Sequence, residues 1–335
     1  MRVLFVTNMY PVPDRPTFGI FVQRMERALR GAGLEVAVEE VAGRRGPLDY
    51  ARARRRVADA AKRWRADVVH LHFGYTFLAS PSTHPRVVTF YGDDLNGESR
   101  GNGTITMKSR IGRWVSLRAA EACERSIAVS ERLRANIGDV AVRARCAVIP
   151  DAVDTALFRP APQAEARAAL GLPADAVLVI FPHDAGVATK RVDLAERAVA
   201  ELRHQLPSAR LWIVNGKAPD SMPRHYAAAD AMIVTSDFEG GPTSAKEALA
   251  CGTPVVSVDV GDTETLRRVP SGAFVVDRSP DALARALALA IGGRPQSRRR
   301  LLPPDLDLEC AARRVADVYE DALSRFARPR STATA

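Results

Sequence analysis

No stretch of this chain approaches the ~20 consecutive apolar residues that a membrane-spanning helix needs, although 47% of its 335 residues are hydrophobic. The first apolar run, Val3 to Val6, is too short for the core of a signal peptide and reads as a strand. The expected location is therefore the cytosol. Cysteine is scarce: Cys123, Cys146, Cys251 and Cys310 lie scattered, without paired metal-ligand or redox spacing, which suits a reducing compartment. No Gly-x-Ser-x-Gly elbow is present. The segments Gly216-Lys217 and Gly186 to Lys190 both fail the phosphate-loop pattern of ATPases, and Gly31-Ala-Gly33 follows a helix where a dinucleotide fingerprint would follow a strand. His70 and His72 share one strand face but have no third placed ligand, so they read as a packed wall rather than a metal site. Neither a metal nor an organic cofactor is expected.

Arginine, by contrast, is abundant. The net charge of +9 raises the question of a nucleic-acid or membrane partner. Arg52, Arg54, Arg55, Arg56, Arg63 and Arg65 form one cluster, and Arg298, Arg299 and Arg300 form another; both read as solvated helix faces in Ala/Arg-rich segments. Nothing resembles a DNA-reading helix or an aromatic-interleaved RNA platform, so no nucleic-acid partner is expected.

The chain is long enough for two domains with sizeable cores. Apolar runs alternate with amphipathic helical segments, the pattern of parallel α/β architecture. Strands are expected near 2–7, 35–41, 67–71, 86–90, 126–129 and 146–149, then near 176–182, 210–214, 231–235, 254–258 and 273–276. Their near-continuous Val/Ile/Leu character fits strands covered on both faces. The break falls around Asp154 to Pro173, where Phe158-Arg-Pro-Ala-Pro162 is a linker candidate. Two Rossmann-like, doubly wound domains would then face each other across a cleft, with ligands at the carboxyl ends of the strands. Late in the chain Ser279-Pro280 is expected to cap a helix ending at Gly292-Gly293. Asp307 would cap another, with Leu308, Ala311, Ala312, Val315, Val318, Tyr319 and Leu323 at helical spacing. Residues 327–335 read as a disordered tail.

The most informative segment is Glu239-Gly-Gly-Pro-Thr-Ser-Ala-Lys-Glu247. Ala231 to Ser236 before it reads as a buried strand, and Ala-Leu-Ala-Cys-Gly252 after it as the end of a short helix with a glycine C-cap. Pro242 suits the first helical turn, where its missing N–H has no intrahelical partner. Gly240 and Gly241 let backbone approach a ligand without Cβ obstruction. The first-turn amides and the positive end of the helix dipole form an anion site. Glu247 lies about five residues into that helix, roughly 7 Å beyond the anion site at ~1.5 Å per residue. Carboxylates thus flank a phosphate cradle on both sides, a spacing that suits a sugar, a diphosphate and a ribose in a row. Taken singly, Glu239 reads as a solvated loop residue and Glu247 as an exposed helix residue; the combination of strand, turn and spacing argues against that.

Glu239 to Glu247, followed by Ala-Leu-Ala-Cys-Gly-Thr-Pro-Val-Val256, resembles the donor-site signature of retaining glycosyltransferases of GT-B fold, the glycosyltransferase family 4 (glycosyl transferases group 1) type. Met1 to Thr7, Phe18 to Gln23, Asp67 to His70, Val148 to Asp154 and Lys190 to Ala195 are similar to its other landmarks, in the right order. The resemblance implies an acceptor-binding domain at 1–155, a donor-binding domain at 156–305, and a helix at 306–326 packing back on the first domain. It implies transfer of a sugar from a UDP- or GDP-linked donor to a glycan, lipid-linked or natural-product acceptor, retaining and without metal. Glu247 would bind the ribose, and Glu239 with the amides of Gly240 and Gly241 the sugar. The amides of Thr243 and Ser244, with Lys190, would stabilise the departing diphosphate, and the backbone at Gly19 would approach the donor phosphates. Lys190, Glu239 and Tyr91 are the implied catalytic residues, and Tyr91, Asp93 and Asp94 shape the acceptor loop. Peripheral contact with the inner face of an anionic membrane is a further expectation, since many relatives act on lipid-linked acceptors.

Two departures stand out. The family usually carries an arginine three to six positions before Lys190, where this chain has Asp184, Ala185, Gly186 and Val187. At an effective dielectric of ~20 a charge 4 Å away is worth roughly 4 kcal/mol, so the loss matters unless Arg191 or another arginine substitutes. Tyr91 stands where relatives often have histidine, and tyrosine titrates far above neutral pH. These departures keep two alternatives open: a catalytically impaired sugar-nucleotide-binding partner, and, less favoured, a sugar-nucleotide epimerase.

Overall fold

The computed structural model describes residues 1–41, 47–97, 99–100, 104–293 and 298–327; most of the expected 327–335 tail lies outside them. The chain divides into two compact units, Met1–Pro150 together with the segment from Leu308, and Asp151–Asp307.

The first unit runs β1 (Arg2–Thr7), α1 (Ile20–Gly31), β2 (Glu35–Glu40), α2 (Pro47–Trp64), β3 (Val68–His72), β4 (Arg86–Phe90), α3 (Asp93–Asn96), a hairpin of β5 (Ser99–Arg100) and β6 (Thr104–Ile105), α4 (Met107–Ala122), β7 (Arg125–Ala128), α5 (Glu131–Arg134), α6 (Val140–Ala144) and β8 (Cys146–Val148). Its six-stranded sheet has the order β2-β1-β3-β4-β7-β8, parallel throughout. The second unit runs α7 (Gln163–Leu170), β9 (Val177–Phe181), α8 (Val192–Leu202), β10 (Ala209–Ile213), α9 (Met222–Ala228), β11 (Ala231–Val234), α10 (Thr243–Ala250), β12 (Val255–Val258), α11 (Thr263–Arg267), β13 (Ala273–Val276) and α12 (Pro280–Gly292). Its five-stranded sheet, β10-β9-β11-β12-β13, is also parallel. The α/β class with two parallel sheets is therefore as expected from the sequence.

Both sheets follow from composition. Strands such as β11 and β12 are buried along their whole length, as parallel strands with helices on both faces must be. Each buried Val, Leu or Ile side chain contributes about 1.5–3 kcal/mol through removal from water. Ser279 accepts from the Ala282 amide at 3.2 Å and starts α12, with Gly293 at its end. The hairpin of β5 and β6 has no counterpart among the expected strands, because two-residue strands leave no periodic pattern.

The last helix, α13 (Leu308–Ala327), belongs to the first unit. It packs against α1, β3, β4 and β7 and buries Leu308, Ala311, Ala312, Val315, Val318, Tyr319 and Ala322. Leu323, expected on this face, is only partly buried, and Ala322 takes its place. The Asp307 carboxylate accepts from the Thr155 hydroxyl, while its backbone bridges Val153.

Candidate functional site

The signature segment sits where β11 runs out. Thr235 and Ser236 continue the strand into the core, and the backbone then turns through residues 237–242 into α10. Pro242 lies one residue before the helix rather than in its first turn, with φ −71° and ψ 81°, the conformation of an inverse γ-turn. The Thr243 amide accordingly donates to the Gly241 carbonyl at 2.8 Å. Thr243, expected to offer its amide to a diphosphate, thus has that amide engaged locally. No side chain caps α10, and its first turn carries no acidic residue. Among the described residues the Ser244 amide meets no acceptor, which leaves it as the first-turn donor for an anion.

The two glutamates occupy different environments. Glu239 Oε1 accepts from Lys190 Nζ at 2.6 Å and from Ser236 Oγ at 2.8 Å. Lys190 ends a 3-10 turn, Ala188–Lys190, in the connection after β9. The Thr235 hydroxyl lies 2.9 Å from the carbonyls of both Lys190 and Arg191, and the Asp237 amide donates to Thr189 O. β9 and β11 are neighbours in the sheet, so residues 49 positions apart in sequence meet beyond the carboxyl ends of this strand pair. Glu247 is buried inside α10, not exposed, and its Oε2 accepts from the buried Tyr226 hydroxyl at 3.1 Å. A carboxylate oxygen has two acceptor sites, so this bond does not exhaust Oε2.

Several residues that the sequence did not single out complete the arrangement. Lys246 has no exposed side-chain surface, and its ammonium donates to Asp262 Oδ2 at 3.1 Å and to the Asp151 carbonyl at 3.0 Å. Burial pushes the Asp151 carboxyl up to about 6, with Lys246 opposing and Asp262 adding to the shift. A Cβ built on Gly241 would lie 3.7 Å from Lys246 Nζ and 3.8 Å from Asp151 Oδ2. Gly261, at φ +61°, closes against Glu239: its Cβ would stand 3.0 Å from that of Glu239. Arg278 bonds the carbonyls of Thr235 and Ser236 at 2.8 Å and braces the turn from outside. Only Lys246 left a local signal that could have singled it out. Lys246 stands three and four positions before Leu249 and Ala250, on a face that is otherwise apolar.

Arg191, the nearest candidate for a second cation, starts in ion pairs. Its guanidinium is held by Asp193 at 2.9 Å and Asp237 at 3.2 Å. His183 precedes Asp184 and feels the charges of both Lys190 and Glu239. Its ring meets Phe181 edge-on at 5.4 Å, and Nε2 is buried without a partner among the described residues. Burial lowers its pKa to about 4, the Lys190 charge adds to that, and Glu239 opposes it. His183 is therefore neutral near pH 7.

The remaining candidates lie in the first unit. Gly19 has φ +71°, and a Cβ there would come within 2.4 Å of the Met9 carbonyl; the backbone itself requires glycine. Tyr91 follows β4 directly, meets Phe21 at a tilt of 49° with centroids 4.6 Å apart, and places its Oη 2.6 Å from His72 Nδ1. Asp94 is turned inward, accepting from the amides of Tyr91 and Gly92 at 3.2 and 3.0 Å. Burial raises its carboxyl to about 6 against those amides. Asp93 is exposed. His70 sits 2.6 Å from the Tyr319 hydroxyl and 2.7 Å from that of Thr89. Burial lowers the pKa of both strand histidines, to about 3 at His70. They are packed, as the sequence suggested, and the described residues hold no group of three or more potential metal ligands. No described helix is long and apolar enough to cross a membrane.

Comparison with known proteins places these units. Residues 5–157 match Glycosyltransferase Family 4, and residues 195–292 match Glycosyl transferases group 1. The chain is 33% identical over 207 residues to the D-inositol 3-phosphate glycosyltransferase of Acidothermus cellulolyticus, covering 51% of this chain and 44% of that protein. It spans about half the length of such relatives. It is 25% identical over 353 residues to TuaC of Bacillus subtilis, assigned as a teichuronic acid biosynthesis glycosyltransferase, covering 86% and 88% of the two chains. Among solved structures, sucrose-phosphate synthase of Thermosynechococcus elongatus superposes with TM-score 0.74 at 17% identity over 96% and 99% of the chains. Anabaena Alr3699/HepE in complex with UDP and glucose gives 0.69 at 15% over 96% and 99%. At these identities the structural likeness is one of fold, the GT-B fold.

Proposed function

The chain belongs, half by half, to the Glycosyltransferase Family 4 and Glycosyl transferases group 1 families on a GT-B fold, and from that premise we propose that it transfers a sugar from a nucleoside-diphosphate sugar with retention. The observation that carries this reading is the Glu239–Glu247 segment, with a carboxylate at each end and the unengaged Ser244 amide between them. Glu247, steadied by Tyr226, binds the ribose hydroxyls. Glu239 and the amides of Gly240 and Gly241 hold the sugar. As the bond from the sugar C1 to the diphosphate oxygen breaks, negative charge grows on the leaving group. Lys190, the Ser244 amide and the start of α10 stabilise it. Lys190 starts paired with Glu239, so the diphosphate competes for a cation already in place. The acceptor hydroxyl forms its bond to C1 from the face the diphosphate leaves and gives its proton to the departing diphosphate oxygen, without a protein nucleophile, and the main effects are positioning and charge stabilisation. The reaction needs neither metal nor cofactor.

A UDP-linked hexose is the favoured donor, in line with the UDP and glucose bound by the Anabaena structure; a GDP-linked donor is the alternative. Tyr91, with His72 behind it, and the loops carrying Asp93 and Asp94 shape the acceptor side. The acceptor is a glycan, a lipid-linked glycan or a natural product. The teichuronic acid assignment of TuaC favours a glycan. The protein works on the cytoplasmic side, with peripheral contact to an anionic membrane.

A second reading, sugar-nucleotide binding without turnover, draws on the engagement of Arg191 by Asp193 and Asp237. The test is Glu247→Gln, which keeps an oxygen for Tyr226. Donor affinity by calorimetry should fall at least about tenfold across a panel of nucleotide sugars, and transfer should fall with it. Unchanged affinity and transfer would refute the donor site. Affinity lost with no turnover in the parent protein would favour the binding partner.

A further inference from the structure

The helix α4 shows solvent a face of unusual composition. Its inward side, with Ser109, Val115, Ser116, Ala119 and Ala120, is buried in the first unit. On the outward side Met107, Ile111 and Trp114 are 68, 46 and 59% exposed. Spaced by four and then three residues, they form one stripe along the helix. An outward helix face is normally polar, so three large apolar side chains in water point to a partner. Arg118 continues the stripe, with its guanidinium 5.7 Å from the Trp114 ring centroid. Arg110 and Arg113 are exposed alongside. Among its described side chains the helix carries three cations, Arg110, Arg113 and Arg118, against one carboxylate, Glu121, and that carboxylate is paired with Arg118 at 2.7 Å. Beside Trp114 opens a groove of about 380 Å³ lined by Phe77, Leu78, Val115 and Ala122, with Arg118 and Glu121 at its edge.

We propose that this face of α4 docks the protein on an anionic lipid bilayer. Met107, Ile111 and Trp114 enter the boundary between headgroups and acyl chains, the groove takes an acyl chain, and the arginines meet lipid phosphates. Apolar residues interleaved with cations, with a tryptophan at the centre, are what an interfacial helix presents to a membrane. Arginine suits the position because its aliphatic stem lies on apolar surface while its head stays at the phosphates. A protein partner matching the same stripe would need carboxylates interleaved at the arginine spacing, whereas an anionic bilayer supplies phosphates at every position. The proposal deepens the proposed function by selecting a lipid-linked acceptor, and it rests on that reading only for the acceptor.

The experiment is co-sedimentation of the full chain with vesicles of phosphatidylcholine alone and of phosphatidylcholine with phosphatidylglycerol, at low and high salt. Binding is expected to the anionic vesicles only, weakened at least about tenfold by high salt and by the double variant Ile111→Ser/Trp114→Ser. Trp114→Phe should retain most of it. Thermal denaturation should be unchanged in all variants, since these side chains are exposed. Absent binding to anionic vesicles, or binding that the double variant leaves intact, would overturn the proposal. So would lipid-free self-association that the double variant abolishes, which would assign the face to a second copy of the chain. Nucleotide-sugar affinity, measured on the same samples, should be the same in parent and variants. Its absence from the parent would defeat the glycosyltransferase reading and leave the docking result standing.

Discussion

Gly241→Ala separates what the fold requires from what a ligand requires. The φ of Gly241 lies outside the left-handed region, and an added Cβ would find its nearest neighbours 3.7 to 3.8 Å away, at ordinary contact distance. The fold therefore has room for alanine, and the reduced freedom of the unfolded chain should stabilise the variant by about 0.4–1 kcal/mol. A donor sugar lying against the amides of Gly240 and Gly241 meets a different constraint. Hydrogen bonds to those amides need ~2.9 Å between heavy atoms, and a methyl group at 241 would displace the sugar by about 1 Å, a shift that alone can cost ~100-fold. Losing two hydrogen bonds and stranding their amides is worth about 2–4 kcal/mol, or roughly 30- to 1,000-fold in kcat/KM. The assay pairs thermal denaturation with donor kinetics. The expected result is a melting temperature at or above that of the parent and a kcat/KM reduced by at least about 30-fold. Parent-like kinetics would refute the close approach of the donor to this corner, and a large loss of stability would refute the packing argument.

Two further predictions concern buried charge. Lys246→Met leaves Asp262 and Asp151 without their cation, and breaking a buried pair costs about 3–5 kcal/mol. The melting temperature should fall by roughly 10 °C, and adding Asp262→Asn should recover half or more; a parent-like Lys246→Met would contradict the pairing at 3.1 Å. Asp94 in the folded chain titrates near 6, above its ordinary value, so its favourable contribution is complete below about pH 4 and is lost as pH rises through 6. Relative to the parent, Asp94→Asn should therefore gain stability between pH 4 and 7, by up to ~3 kcal/mol on top of any fixed offset, as read by urea denaturation. A difference that does not vary with pH would place Asp94 in contact with water.

The inner sheet strands were legible because they are runs of apolar residues buried on both faces, as in Val177-Leu-Val-Ile-Phe181 and Ala231-Met-Ile-Val234. That signal is local. The hairpin at Ser99–Arg100 and Thr104–Ile105 is too short to carry one. Glu239, Glu247 and the glycines between them were legible because a single strand–turn–helix unit holds them all. What escaped was whatever the fold brings in from afar. Lys246 meets Asp151 across 95 positions, Arg278 meets Thr235 across 43, and Tyr226 meets Glu247 across 21. Tertiary topology alone decides such pairings. The Thr243 amide escaped for the opposite reason: one proline placed one residue earlier converts a helix-start donor into a γ-turn bond.

The two glutamates look equivalent in the sequence and are unlike in the structure. Glu247 is buried in α10 and accepts from a phenol of α9. Glu239 is held by a cation at 2.6 Å and a hydroxyl at 2.8 Å, with both partners beyond the carboxyl ends of β9 and β11, where the diphosphate would lie. A diphosphate arriving there replaces one anionic partner of Lys190 by another, so the cation needs no desolvation at the moment of reaction, the condition under which a preorganised charge is most effective. The same exchange frees Glu239 Oε1 to accept from a sugar hydroxyl. On the proposed reading, this one ion pair would link occupancy of the phosphate position to availability of a sugar-binding carboxylate.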